Sequence, residues 1–276
     1  MPARPGSGDM AGRRRAVYPR GMPRYRNEPI YTAAIGLGRT LFRVLGVKRD
    51  VTGIGHIPDD GGAVLAITHF GYLEFALVEW ATWLANRRRI RFMAKKGAFR
   101  GWPLGAFMRN MKHIPVDRAA GAGAYAEAVA ALRRGELIGV FPEGTVSRSF
   151  EVQRLKAGAA RLAREAGVPL IPVAVWGGQR ILTKSAKGKL RDRFGVHVLF
   201  AVGEPIMVGP DDDIHDATDA LRAELQRLTD ELQEAYPVEG TGHWWQPASR
   251  GGTAPTVAEI EHEQRGSRRR SDAGEA

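Results

Sequence analysis

Between residues 63 and 202, short apolar runs alternate with longer stretches in which apolar residues recur every three or four positions. The runs are nearly continuous and rich in branched side chains, which predicts strands buried on both faces of a sheet. These predicted strands cover residues 63–68, 90–94, 113–116, 137–141, 170–176 and 196–202.

The intervening stretches predict helices over about residues 74–86, 120–134 and 155–167. A final helix is expected after Asp211–Asp213, whose carboxylates are suited to cap it. Its apolar stripe comprises Ile214, Leu221, Leu225, Leu228 and Leu232. Strands that alternate with helices predict an α/β fold with a mostly parallel, mixed sheet flanked by helices.

Residues 29–47 form a separate apolar stretch, in which hydrophobic residues recur at helical spacing and Arg39 and Arg43 interrupt them. This pattern predicts an amphipathic helix that either lies in a membrane interface or packs on the domain. No window reaches the ~18 uncharged apolar residues of a spanning helix, and no secretory signal is recognisable. We therefore expect a peripheral or monotopic membrane protein on the cytoplasmic face of the cell membrane.

These features divide the chain into four parts. Residues 1–27 are expected to be a basic flexible arm, residues 28–48 the amphipathic helix, and residues 49–238 the folded domain. Residues 239–276 are rich in Gly, Ser, Pro and charge, which favours a flexible polar tail.

Charge narrows the candidate partners. The chain has 276 residues and a formal charge of +11, from 41 Lys and Arg against 30 Asp and Glu. Such a protein favours anionic partners, namely nucleic acid, acidic lipid surfaces or phosphorylated substrates. It contains no cysteine, which excludes disulfides, cysteine-based zinc sites and a cysteine nucleophile.

Three polar clusters follow predicted strands. His69 follows the first strand, Asp117 and Arg118 follow residues 113–116, and Pro142–Thr145 follow residues 137–141. Because ligands bind beyond the carboxyl ends of parallel strands, we expect these clusters to share one edge of the sheet.

The first cluster suits proton transfer. A neutral imidazole at residue 69 is able to accept a proton from a substrate hydroxyl, and Glu74 is placed to orient the ring and stabilise its charged form. The alternative is an ordinary histidine with a nearby surface carboxylate, since such pairs often arise by chance.

The other clusters suit anion and hydroxyl binding. Arg118, Lys95 and Lys112 are candidates for holding a phosphate, with a solvated basic rim as the alternative for the lysines. Glu143 is suited to hold a hydroxyl or brace a cation. Gly144 allows close backbone approach, and Thr145 can donate a hydrogen bond.

Several chemistries lack their sequence motifs. The chain has no G-x-S-x-G, no Walker A loop, no H-E-x-x-H and no complete G-x-G-x-x-G. The histidines are scattered, so no metal site is expected. Direct attack by a substrate hydroxyl fits this set of residues better than a covalent acyl-enzyme.

Four blocks in order resemble the PlsC-like lysophosphatidic acid acyltransferases, a family of glycerolipid acyltransferases. These are the His69–Glu74 pair, "HIPVDR" (113–118), "FPEGT" (141–145) and "VPLIPV" (168–173), and the resemblance covers about residues 50–205. It implies transfer of a fatty acyl group from acyl-CoA or acyl carrier protein to the hydroxyl of a lysophospholipid acceptor such as lysophosphatidic acid. No metal or organic cofactor is implied.

The resemblance also implies residue roles. His69 would be the general base with Glu74 as its partner, Arg118 would bind the acceptor phosphate, and residues 143–145 would help to bind glycerol phosphate. Pro172 would belong to the block that shapes the acyl-donor region. The basic flanks fit an anionic membrane surface as a partner. No nucleic-acid partner is expected, because a nucleic-acid-binding protein would explain the charge but not the three polar clusters at the strand ends.

Two positions depart from the family pattern. Glu74 stands where the family usually carries aspartate, and Val146 and Ser147 stand where Arg-Ser often follows the threonine. Arg148 comes later and is a further candidate for the phosphate. Three hypotheses remain open on the residues alone: an acyltransferase for this or another acceptor, a nucleic-acid-binding protein, and a non-catalytic lipid-binding protein.

Overall fold

A computed structural model describes residues 28–102, 104–117, 121–184 and 188–263. Seven strands form one sheet in the order β1-β7-β6-β2-β5-β3-β4. The strands are β1 (Lys48–Thr52), β2 (Ala63–Ile67), β3 (Ile90–Lys95), β4 (Ile114–Val116), β5 (Leu137–Val140), β6 (Leu170–Trp176) and β7 (His197–Val202).

The sheet is mixed and mostly parallel, which confirms the predicted fold class. β2 lies between β5 and β6 and is parallel to both, and β3 and β4 continue this parallel set. β7 is antiparallel to β6, and β1 is parallel to β7. The carboxyl ends of β2 to β6 therefore meet at one edge, where the polar clusters were expected.

Helices cover both faces of the sheet, as the apolar periodicity predicts. They are α1 (Pro29–Val44), α2 (Glu74–Asn86), α3 (Leu104–Asn110), α4 (Ala122–Arg133), α5 (Gly158–Ala166) and α6 (Ile214–Glu234). Side chains of α4, α5 and α6 join one buried cluster, and those of α1 and α2 join another. Strand β2 contributes Val64 and Ala66 to the first cluster, and Leu65 and Ile67 to the second.

The final helix begins where the aspartates predict. The Asp213 carboxylate accepts hydrogen bonds from the backbone N–H groups of His215 and Asp216 at 2.5 and 3.3 Å, so it satisfies donors at the start of the helix. The predicted apolar stripe of α6 is buried throughout.

Two elements escaped the prediction. Strand β1 has the sequence KRDVT and is largely exposed. A search for apolar runs does not find it, because three of its five residues are charged. Charged residues are common on edge strands. Helix α3 has only seven residues, which is too short for a clear helical periodicity. Helix α1 ends at Val44 rather than Val47, because Gly46 adopts a φ of +65° and turns the chain into β1.

The segment after α6 differs from the flexible tail that its composition predicts. Residues 240–263 fold back onto the domain, and Trp245 is only 3% exposed in the cluster beneath α6. Its ring contacts Tyr236 at 5.5 Å, and the guanidinium of Arg180 lies 4.6 Å from it. Burial of one large aromatic side chain can offset the ordering of a polar segment. Residues 1–27 and 264–276 lie outside the described residues.

Within the part of the chain that the structure describes, no helix is both long and apolar enough to span a bilayer.

Candidate active site

His69 lies at the carboxyl edge of the sheet, two residues after β2 ends. Its Nδ1 atom is 3.6 Å from Oε2 of Glu74, the first residue of α2. The structure thus brings together the two residues that the sequence pairs. This separation is longer than a hydrogen bond, and such bonds often tighten only when substrate binds.

The carboxylate of Glu74 is enclosed and 1% exposed. A Cβ atom on Gly71 would stand 3.0 Å from Glu74 Oε1, and one on Gly178 would stand 3.4 Å from the same atom. Among the described residues, neither carboxylate oxygen nor His69 Nδ1 has a hydrogen-bond partner. Because an unpartnered buried carboxylate is costly, the pair is arranged to gain a charge-assisted hydrogen bond when the imidazole is protonated.

The loop after β5 fixes the backbone of His69. The N–H group of His69 donates to Glu143 Oε1 at 2.9 Å, and its carbonyl oxygen accepts from the N–H of Ser147 at 2.7 Å. The ring of Phe141 stacks on the imidazole, with 4.1 Å between ring centres. These contacts follow from the adjacency of β2 and β5, and they limit the movement of the imidazole.

Glu143 therefore has a different place from the one predicted. Its side chain is 6% exposed, and its two oxygens accept the backbone N–H groups of His69 and Gln153 rather than facing an open site. Burial raises the pKa of Glu143 to about 8, and the negative charge of Glu74 adds to the rise, while the two backbone hydrogen bonds oppose it. Glu143 acts as a brace for the backbone of His69.

Replacing Glu143 with glutamine should change how stability depends on pH. The carboxyl has a pKa near 4.5 when free and about 8 in the folded chain. The folded state holds the extra proton between these values, so its stability falls as pH rises through this window. Glu143→Gln removes that titration. Its free energy of unfolding relative to the wild type should therefore increase between about pH 5 and pH 8.

Urea unfolding at the two pH values measures this difference, with Glu127→Gln on the exposed surface of α4 as the matched control. The control should keep a constant difference from the wild type. A constant difference for Glu143→Gln would show that its carboxyl ionises alike in the folded and unfolded chains.

His69 opens onto a cavity of about 650 Å³. The wall includes Lys95, Gly144 and Lys156. Its aromatic residues include Tyr72, Phe75, Phe92 and Phe141. A wall of this kind suits an apolar chain, and the lysines place positive charge beside the imidazole.

A second histidine, His113, also lines the cavity and is 4% exposed. Its Nδ1 accepts the backbone N–H of Phe92 at 3.1 Å, so Nε2 carries the ring hydrogen. Burial, with the nearby charge of Arg91, lowers the pKa of His113 to about 4. This histidine stays neutral near pH 7 and does not compete with His69 as a base.

A second, apolar cavity of about 220 Å³ adjoins the first, because both are lined by Phe75, Phe92 and His113. It lies between α1 and α2 and contains Leu37 and Trp80 in its wall. These three side chains therefore contribute to the walls of both cavities.

Two other predicted phosphate ligands are engaged elsewhere. Lys112, which follows α3 with a positive φ of 55°, forms an ion pair with the buried carboxylate of Glu28 at 2.8 Å. Arg148 pairs with Glu263 of the C-terminal segment at 2.6 Å. Neither side chain is part of the cavity wall around His69.

The remaining predicted residues divide between the cavity and its surroundings. Lys95 and Gly144 line it, whereas Thr145 is exposed outside its wall. Pro172 lies within β6, in register with Ala66 of β2. Arg118 lies outside the described residues, so its predicted role remains a prediction.

Lys156, Phe141 and Ser147 were not singled out from the sequence. Lys156 lies 11 residues beyond the "PEGT" block, and only the fold of the intervening loop brings it back to the cavity. Phe141 directly precedes Pro142–Thr145, and Ser147 follows it by two positions. This closeness to a predicted site loop is the sequence signal that could have indicated both residues.

Comparison with known proteins agrees with this architecture. The family model described as Acyltransferase matches residues 48–176. The 1-acyl-sn-glycerol-3-phosphate acyltransferase of Bacillus subtilis is 31% identical over 152 residues, which is 55% of this chain and 70% of that protein. A chloroplastic 1-acyl-sn-glycerol-3-phosphate acyltransferase of Brassica napus is 26% identical over 147 residues, or 52% of this chain and 41% of that one.

The fold has a solved counterpart. The crystal structure of the 1-acyl-sn-glycerophosphate acyltransferase PlsC from Thermotoga maritima aligns with a TM-score of 0.60 and 22% identity, covering 75% of this chain and 81% of that one. At this identity the likeness supports the fold, while the sequence matches support the family. The chain is therefore an O-acyltransferase and belongs to the PlsC-like family of 1-acyl-sn-glycerol-3-phosphate acyltransferases.

Proposed function

We propose that this enzyme transfers a fatty acyl group from acyl-CoA or acyl carrier protein to the free hydroxyl of lysophosphatidic acid, with His69 as the general base. The observation that carries this proposal is the unpartnered pair of His69 Nδ1 and Glu74, 3.6 Å apart beside an aromatic cavity. No other described histidine combines a carboxylate partner with access to that cavity.

The reaction needs a single proton relay. With Nδ1 facing Glu74, the opposite ring nitrogen, Nε2, accepts the proton of the acceptor hydroxyl as its oxygen attacks the thioester carbonyl. The carbon–sulfur bond then breaks, and the imidazolium returns the proton to the departing thiolate. Glu74 stabilises the imidazolium between these steps, which a buried carboxylate does more strongly than a solvated one.

The acceptor is argued from charge. Lys95 lines the cavity with His69. In the sequence, Arg118 comes two positions after the last residue of β4. Cations at strand ends favour an acceptor with a phosphate over a neutral one. Other phosphorylated acceptors, such as glycerol 3-phosphate or a lysophospholipid, remain alternatives that an assay separates.

The direct test is a panel of acceptors offered to the purified full chain with both acyl-CoA and acyl carrier protein thioesters. Lysophosphatidic acid should be acylated faster than glycerol 3-phosphate, lysophosphatidylcholine or monoacylglycerol, and phosphatidic acid should be the product. Preferential acylation of monoacylglycerol would contradict the proposed phosphate recognition, and binding to RNA or DNA without acyl transfer would favour the nucleic-acid hypothesis.

The enzyme is further proposed to dock on an anionic membrane through α1. This helix buries Tyr31, Ile35 and Phe42 against the domain. Its outer face exposes large apolar side chains, namely Ile30 at 42%, Leu37 at 69%, Leu41 at 47% and Val44 at 68%. Such a face beside basic residues suits the interface of a bilayer, and cytosolic donors would place the enzyme on the cytoplasmic face.

Charged substitutions on α1 should weaken this docking. We expect the double variant Leu37→Glu, Leu41→Glu to lose most of its binding to vesicles that contain phosphatidylglycerol, because each change puts a charge into an apolar interface. Sedimentation with vesicles measures the bound fraction. Met207→Glu, at a 53% exposed apolar position beyond β7, is the control and should bind like the wild type. Equal binding by the double variant would exclude α1 as the docking surface.

A further inference from the structure

Lys156 reaches the cavity from the far end of the loop that follows β5. Its backbone N–H donates to the carbonyl of Pro142 at 2.9 Å, which closes the loop immediately before α5. Its side chain then lies over Gly144. A Cβ atom at residue 144 would be 2.9 Å from the Lys156 ammonium and 3.0 Å from its Cε. The glycine therefore makes room for the ammonium beside the wall that contains His69.

The ammonium of Lys156 is not neutralised by a carboxylate among the described residues. The nearest acidic residue in its loop, Glu143, uses both oxygens to accept backbone N–H groups. Other cations near this edge are paired: Lys96 with Asp117 at 3.0 Å and Lys112 with Glu28. Lys156 thus offers an available positive charge at the cavity.

The loop between β5 and α5 contains two other cations, Arg148 and Arg154. Arg148 pairs with Glu263, and neither arginine is part of the cavity wall. The side of the cavity formed by the β5 loop therefore takes its positive charge from Lys156 in the described structure.

We propose that Lys156 binds the phosphate of the acceptor and is a specificity-determining residue for phosphorylated over neutral acceptors. This inference rests on the proposed function. Lys156, in the loop before α5, and Lys95, at the end of β3, both line the cavity that His69 borders, so the phosphate would bind in the same cavity as the base. A lysine ammonium forms charge-assisted hydrogen bonds with phosphate oxygens. Its hydrogen bonds with a neutral glycerol headgroup are weaker.

The first test is equilibrium binding of lysophosphatidic acid without an acyl donor, measured by calorimetry on the full chain. Lys156→Met, which keeps an unbranched side chain and removes the charge, should weaken binding by roughly 10- to 100-fold. Its affinity for monoacylglycerol should be unchanged. Lys156→Arg should retain most of the wild-type affinity, and Arg154→Met, in the same loop but outside the cavity wall, should match the wild type.

The second test uses turnover. With lysophosphatidic acid as the acceptor, Lys156→Met should raise KM by a similar factor while kcat changes less than about threefold. An unfolding midpoint equal to that of the wild type would exclude a structural cause. Equal affinity of Lys156→Met and wild type for lysophosphatidic acid would overturn the inference, even if acyl transfer itself proceeds. Absence of acyl transfer in the wild type would count against the proposed function, while the binding measurement would still decide the role of Lys156.

Discussion

Replacing His69 with alanine should lower kcat for acyl transfer by roughly 10²- to 10⁴-fold, the gain that a positioned general base supplies. The imidazole lies beside Glu74 at 3.6 Å and borders the cavity, so its loss would remove the proposed acceptor of the hydroxyl proton. KM for the acyl donor should change little, because His69 is only one of many groups that line the cavity. Steady-state kinetics with lysophosphatidic acid measures both constants.

His113→Ala is the matched control for this prediction. It also removes an imidazole from the cavity wall, but one whose Nδ1 accepts the N–H of Phe92 rather than facing a carboxylate. It should leave kcat much closer to the wild-type value than His69→Ala does. If the two variants lose activity equally, with unchanged folding, the distinction between a catalytic and a structural histidine fails.

Replacing Arg91 with methionine should destabilise the fold by about 3 kcal/mol or more, the cost of breaking a buried ion pair. Arg91 is 2% exposed and donates to both oxygens of Glu28, at 2.7 and 3.0 Å. It also donates to Glu136 at 3.0 Å and to the carbonyl of Met111 at 2.9 Å. Although burial alone would raise the pKa of Glu28, Arg91 and Lys112 hold it below its ordinary value.

This cluster fastens the start of α1 to β3, since Glu28 directly precedes the helix. Urea unfolding compares Arg91→Met with Arg134→Met. Arg134 contacts the same Glu136 at 2.8 Å, but its side chain is 60% exposed. The control should cost less than about 1 kcal/mol, as exposed ion pairs do. Similar losses in the two variants would show that burial does not govern the strength of the Arg91 cluster.

Most of the fold could be predicted, because strands that are buried on both faces of a sheet appear in the sequence as apolar runs. The sequence located β2 to β7 and five of the six helices, and the parallel order of β2 to β6 explains why three polar clusters share an edge. Strand β1 could not be found in this way, because its partner β7 and its exposed position determine its structure more than hydrophobicity does.

Site residues that are close in sequence could be predicted to lie together. Site residues whose position depends on the conformation of a loop were harder to predict. The pairing of His69 with Glu74 follows from a strand end and a helix start five residues apart. The role of Glu143 depends on the direction in which its side chain points. The sequence alone did not show that its carboxylate accepts the N–H of His69. Likewise, Lys112 and Lys156 are both basic residues near strand ends, yet only Lys156 reaches the cavity.

The proposed conversion of lysophosphatidic acid into phosphatidic acid through His69 can be measured directly. The quantity to measure is the phosphatidic acid that the purified full chain forms from lysophosphatidic acid and an acyl thioester, with wild type and His69→Ala assayed side by side. We expect the wild type to form product at a rate at least about 10²-fold above that of the variant. No phosphatidic acid from the wild type with either donor, or equal rates for the two proteins, would exclude this role of His69.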